Sequence, residues 1–81
     1  MALAFVLMRV EEGTQEDVIA ELRELPEVEM VEVVQNSEEA GFDLIIKAGA
    51  SSLSELQRGI LGKIRRVQKV VDTKTMIVID R

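Results

Sequence analysis

Ala2 to Met8 form seven successive residues without a polar side chain, and the run breaks at Arg9-Val10-Glu11-Glu12-Gly13. Continuous apolar and β-favouring residues of this length, closed by a polar turn, predict a strand over Leu3–Val10. Leu3, Phe5 and Leu7 would point one way and Ala4, Val6 and Met8 the other. Both faces are apolar, so the strand is expected to be covered on both sides.

The period then changes. Val18, Leu22 and Leu25, with Ile19 beside them, recur at helical spacing, and Pro26 stops the helix. Thr14 with Asp17 three residues later reads as a weak capping box, and Glu16 and Asp17 suit the positive end of the helix. A second strand follows over Val28–Gln35, with a break in alternation near Met30-Val31 that leaves its inward face open. Asn36 to Gly41 has the composition of a turn, and Phe42–Ala48 reads as a third strand.

Ser52 and Glu55 form a good capping box for a second helix with the stripe Leu53, Leu56, Ile60, Ile64 and Val67. Gly59 and Gly62 each weaken that helix by roughly 1 kcal/mol relative to alanine, which implies close packing there or local flexibility. Val70–Ile79 is the last strand. The order β-α-β-β-α-β is the ferredoxin-like split arrangement, an α+β fold with a four-stranded antiparallel sheet and two helices on one face. Helices on one face leave the other face of the sheet open. Ala4, Val6, Met8, Ile45, Met76 and Val78, or the opposite set, would then face water, and an apolar patch of that extent marks an interface. Two sheets packing face to face in a homodimer are expected.

Residues 1–81 make one domain, and a chain this short buries only about 60% of its unfolded surface, so self-association would add needed burial. The net charge of -5 is uneven, with eleven acids against two bases in residues 1–40 and four acids against eight bases in residues 41–81. Acids on the first helix beside Arg58, Lys63, Arg65 and Arg66 on the second would resolve that asymmetry inside one domain. The basic group Lys63, Arg65, Arg66 and Lys69 also fits the negative end of a helix, so no direct nucleic-acid partner is inferred. With only two aromatics, Phe5 and Phe42, the sheet has no base-stacking platform.

Cysteine, histidine, tyrosine and tryptophan are all absent, which removes the thiolate nucleophile and the commonest general base and zinc ligand. An enzyme is therefore not expected. The glycines are dispersed rather than clustered before a helix, so no phosphate cradle is predicted, and no metal or cofactor either. The first apolar run is too short for a membrane helix and lacks a basic leader, leaving a cytoplasmic protein as the expectation. Thr73 and Thr75 alternate along the last strand and share one face, open to a ligand role or to β-propensity alone.

Four segments together resemble the effector domain of the leucine-responsive regulator/AsnC family, in a stand-alone form without the DNA-binding half. They are Ala4-Phe5-Val6-Leu7, Leu25-Pro26-Glu27-Val28, Phe42-Asp43-Leu44-Ile45, and Val70-Val71-Asp72-Thr73-Lys74-Thr75 with Met76-Ile77-Val78-Ile79. The resemblance implies a sensor of small molecules, often amino acids, that dimerises through its sheets as a dimeric α+β barrel and assembles into rings of dimers. It places the ligand between dimers, around a Gly-x-Tyr/Phe-Asp turn leading into the third strand. Here those positions read Ala40-Gly41-Phe42-Asp43, with Gly41 one place later and extra acids before it. On that likeness Gly41, Phe42 and Asp43 are the ligand-binding candidates, joined by Thr73 and Thr75 as hydroxyl contacts. Read alone, without the family likeness, Asp43 is the polar residue at the entry of a strand, satisfied by turn amides. Any transcriptional role would be indirect, through mixed assembly with a full-length regulator or another partner. A purely structural oligomerisation subunit is the alternative, and a small monooxygenase or isomerase of the dimeric barrel class a more distant one.

Overall fold

The computed structural model describes residues 1–34 and 43–78. Four strands, β1 (Ala2–Val10), β2 (Val28–Val33), β3 (Leu44–Ala50) and β4 (Val70–Ile77), form one sheet in the order β2-β3-β1-β4. All three pairings are antiparallel. Helix α1 (Gln15–Arg23) follows β1, and a helical rod over residues 53–65 follows β3. This is the ferredoxin-like arrangement expected from the sequence.

One contiguous core joins both helical elements to one side of the sheet. Ala4, Val6, Met8 and Val10 of β1 and Leu44, Ile46 and Ala48 of β3 pack against Val18 and Leu22 of α1 and against Leu56, Ile60, Leu61 and Ile64 of the rod. Met8, Leu22, Leu44, Ile46 and Leu56 are fully buried, each contributing roughly 1.5–3 kcal/mol. No charged or polar residue is buried among the described residues.

The strand pairing corrects the expected composition of the open face. Ala4, Val6 and Met8 point to the helices, whereas Ile45, Met76 and Val78 do not. Leu7 stands opposite Ile45, and Phe5 opposite Met76, so these residues share the open face with Leu3. The set named from the sequence therefore mixes two faces. A run that is apolar at every position carries no period, so nothing local assigns its faces. In β2, a register shift between Val28 and Met30 accounts for the broken alternation: a bulge restores Val31 to the core. β3 begins at Leu44 and extends through Gly49 and Ala50, two residues beyond the expected end.

Thr14 does not cap α1. It closes the turn after β1 instead, its amide and hydroxyl both donating to the Glu11 carbonyl at 3.1 and 2.6 Å. Gly13 supplies the positive φ of 81° that this turn requires. Ser52 caps the rod as expected, accepting from the Glu55 amide at 3.2 Å, but the Glu55 carboxylate is taken by the Ser51 hydroxyl.

The rod is not uniform. It opens as α2 (Leu53–Glu55), widens into a π-helical turn over Leu56–Ile60 and closes as α3 (Leu61–Arg65). The extra residue in the wide turn lets Ile60 and Leu61 both reach the core. Leu53, expected on the stripe, is 48% exposed, because that phase shift leaves the first turn outside the contact. A Cβ at Gly59 or Gly62 would meet no atom within 4 Å, so neither glycine marks close packing.

The helical charges also pair differently from expectation. Asp17 meets Lys69, beyond α3, at 4.0 Å, and Lys63 meets Glu27, beyond α1, at 3.3 Å. Among the described residues, no ion pair joins α1 to the rod itself. No described helix is long and apolar enough to cross a membrane.

Candidate functional site

β1 and β3 part at their ends beside the turn that leads to α1, and Asp43 fills the gap. Their ladder runs to Met8 opposite Leu44. Beyond it, the Asp43 amide donates to the Met8 carbonyl at 2.8 Å, and Oδ2 of Asp43 accepts from the Val10 amide at 3.0 Å. The side chain thus takes the place of a main-chain acceptor for the last β1 amide facing β3. The Asp43 carbonyl also accepts from the Val34 amide at 2.8 Å, so the residue ties three strand ends together.

Around this carboxylate lies a depression of about 360 Å3, lined by Arg9, Val10, Glu11, Glu12, Gly13, Gln15 and Asp43. The Glu11 amide, bonded to the Lys69 carbonyl at 2.9 Å, anchors one wall. The tight Gly13 turn shapes the other. Three carboxylate-bearing residues and one arginine line a space the size of a small metabolite. Such a lining suits a zwitterion, whose ammonium would meet the carboxylates while its carboxylate meets Arg9.

Arg9 was not singled out by sequence reasoning. Its signal was available: it is the only base in the first 22 residues, and it directly follows the apolar run. Gly41 and Phe42 lie outside the described residues. Thr73 and Thr75 stand opposite Met8 and Val6 across β1, half-buried on the helix side of β4. They share a face, as expected, but neither lines the Asp43 depression, from which β1 separates them. Among the described residues no group of three acids converges closely enough to hold a metal ion.

A larger groove of about 470 Å3 lies at the opposite end of β3, between Pro26, Gly49, Ala50 and Met1. Its two acids, Glu27 and Glu29, are engaged by Lys63 and Lys47 at 3.3 and 3.6 Å. It is wider, but among the described residues that line it there is no basic side chain. The chemistry of the Asp43 depression is richer, and we take it as the candidate site.

The chain is 35% identical to a solved structure described as FFRP-DM1, over 98% of this chain and all of the other, with a TM-score of 0.85. It is 34% identical to hypothetical protein PHS023 from Pyrococcus horikoshii, over 100% of this chain and 93% of the other, at 0.85. The same fold recurs at 18% identity in the transcriptional regulator NMB0573 from Neisseria meningitidis, solved with L-Met, over 98% of this chain and 50% of that one, at 0.78. It recurs too in the siroheme decarboxylase NirDL, at 17% identity over 95% and 25% of the two chains and a TM-score of 0.80. No curated protein gives a significant match. A family model for the Lrp/AsnC ligand binding domain matches residues 3–81, essentially the whole described fold and its candidate site, and the chain belongs to that family.

Proposed function

We propose that this chain is a cytoplasmic sensing and oligomerisation module whose ligand is a small zwitterion of the amino-acid class, acting in transcriptional or metabolic regulation. The observation that supports the reading is the Asp43 depression, whose lining combines acidic residues with Arg9. Asp43 contacts the ammonium in this reading, and Gly41 and Phe42 stay with it as the ligand-binding candidates that the family likeness implies. Thr73 and Thr75 join the site only as hydroxyl contacts supplied by a neighbouring copy, because within one chain β1 intervenes. Support for the ligand class comes from the Neisseria regulator solved with L-Met. Two similar solved chains are matched over 100% and 93% of their length, so domains of this size occur among similar proteins. Mixed assembly with a full-length regulator is one route to regulation.

The homodimer of the proposal forms through the open sheet face. Leu3, Phe5, Leu7 and Ile45 form a half-buried apolar strip there, extended by Met76 at 43% exposure and Val78 at 47%. Burying this strip against its copy removes apolar surface at roughly 25 cal/mol per Å2. Ligand binding between dimers then shifts assembly by the difference in its affinity for the two states. The chain has no His, Cys or Tyr for acid-base or nucleophilic work, which supports a regulator over an enzyme despite the decarboxylase that shares the fold.

The test is calorimetric titration of amino acids into wild type, Asp43→Asn and Arg9→Gln. The asparagine keeps an acceptor for the Val10 amide and removes the charge. The reading predicts binding to wild type and at least a tenfold weaker response in each variant, about 1.4 kcal/mol. Equal affinities in all three proteins would remove these residues from the site.

A further inference from the structure

The outer surface of the helical layer is split by charge. Residues 11–24, spanning α1, hold six acids against Arg23; residues 53–69, spanning the rod, hold five bases against Glu55. The two elements pack on the same side of the sheet. Asp17 meets Lys69 and Glu27 meets Lys63, pairings that run in opposite chain order, so α1 and α3 lie side by side and antiparallel. Glu16, Glu21 and Glu24 on one side, and Arg65 and Arg66 on the other, are exposed. None of these five has an ionic partner within 4.0 Å among the described residues.

An acidic strip beside a basic strip is complementary to its own copy under only one of the two simple face-to-face twofold arrangements. A twofold axis perpendicular to the helices lays acid on acid and base on base. An axis parallel to the helices lays α1 of one copy on the rod of the other, and the reverse, satisfying both strips at once. We propose that the helical layer is a second self-association face, on which α1 of one copy meets the basic rod of a second copy about a twofold axis parallel to the helices.

This face lies on the opposite side of the molecule from the apolar sheet strip and needs no ligand, so it stands apart from the reading of the Asp43 site. Its chemistry differs too. The sheet strip is apolar and tolerates salt, whereas the helical contact is built from exposed charges and yields to screening. The occupant is a second copy rather than a nucleic acid, because the chain is acidic overall at -5 and carries both halves of the complement itself.

The experiment is light scattering at about 10 mM and about 1 M salt, where the screening length falls from about 30 Å to about 3 Å. Mass is measured for wild type, Glu21→Lys/Glu24→Lys, Arg65→Glu/Arg66→Glu and the fourfold charge swap, each checked for folding by circular dichroism. A Phe5→Glu background removes the sheet contact. In that background, wild-type mass at low salt should be roughly twice its high-salt value, as an isologous pair requires. Each double variant should lose that increase, and the fourfold swap should restore it. A wild-type mass independent of salt overturns the proposal, as does a folded fourfold swap that fails to associate. If Arg65→Glu/Arg66→Glu leaves mass unchanged but abolishes binding of a single-stranded oligonucleotide, the basic strip is a nucleic-acid surface and the proposal is likewise wrong.

Discussion

Asp43 does structural work through one oxygen, Oδ2, which accepts from the Val10 amide where β1 and β3 separate. Asp43→Ala leaves that part-buried amide without its acceptor and should cost about 1–3 kcal/mol, measured by urea unfolding. Asp43→Asn should recover most of the loss, because an amide oxygen can replace the carboxylate. The two substitutions thus separate a fold role from a ligand role. The glycines divide just as clearly. Gly62 sits in α3 with open space where a Cβ would go, so Gly62→Ala should stabilise by up to about 1 kcal/mol. Gly13 holds a φ of 81°, and Gly13→Ala should cost about 1–2 kcal/mol. A thermal melt of both variants checks the sign. At this scale the sequence offers Asp43 both as a ligand candidate and as a strand-entry residue satisfied by turn amides, but it does not show which amide is satisfied, because Val10 lies 33 residues away.

The wide turn inside the rod decides which of its apolar residues matter. Ile60→Ala and Leu61→Ala should each cost about 2–5 kcal/mol, since both reach the core, while Leu53→Ala, at a half-exposed position, should cost far less. Equal costs at Leu53 and Leu61 would show a regular helix without the π turn. Helical spacing read from the sequence placed Leu53 on the stripe and passed over Leu61, because a 3.6-residue period cannot register one inserted residue. The strands divide in the same way. Core faces of β3 and β4 alternate and are readable, whereas β1 is apolar throughout and β2 carries a bulge, so their faces emerge only from cross-strand pairing. Thr14 shows the limit of local motifs: the same hydroxyl can cap a helix or close the preceding turn, and the positive φ of Gly13 decides for the turn.

The whole molecule presents two chemically distinct faces, an apolar sheet and a charge-split helical layer, with the Asp43 depression at the end of the sheet. Element order alone was enough to read the fold and the existence of an open sheet face, since two helices cover only one side of four strands. Which residues occupy that face was not readable, and Lys47 and Lys74, standing opposite Phe5 and Leu7, bring charge onto it. Phe5→Glu places a carboxylate at the centre of the apolar strip and should reduce a dimer to a monomer in light scattering, with little change in helical content. An unchanged mass would move the dimer contact elsewhere. A ligand-sensing assembly is recognised by recording melting temperature and oligomeric mass together against each of the twenty amino acids. A ligand that binds only the native state stabilises it by about 2.7 kcal/mol at a hundredfold excess over its Kd. At least one amino acid should raise the melting temperature and shift the mass of wild type but not of Asp43→Asn; twenty flat responses in both measurements would rule out amino-acid sensing.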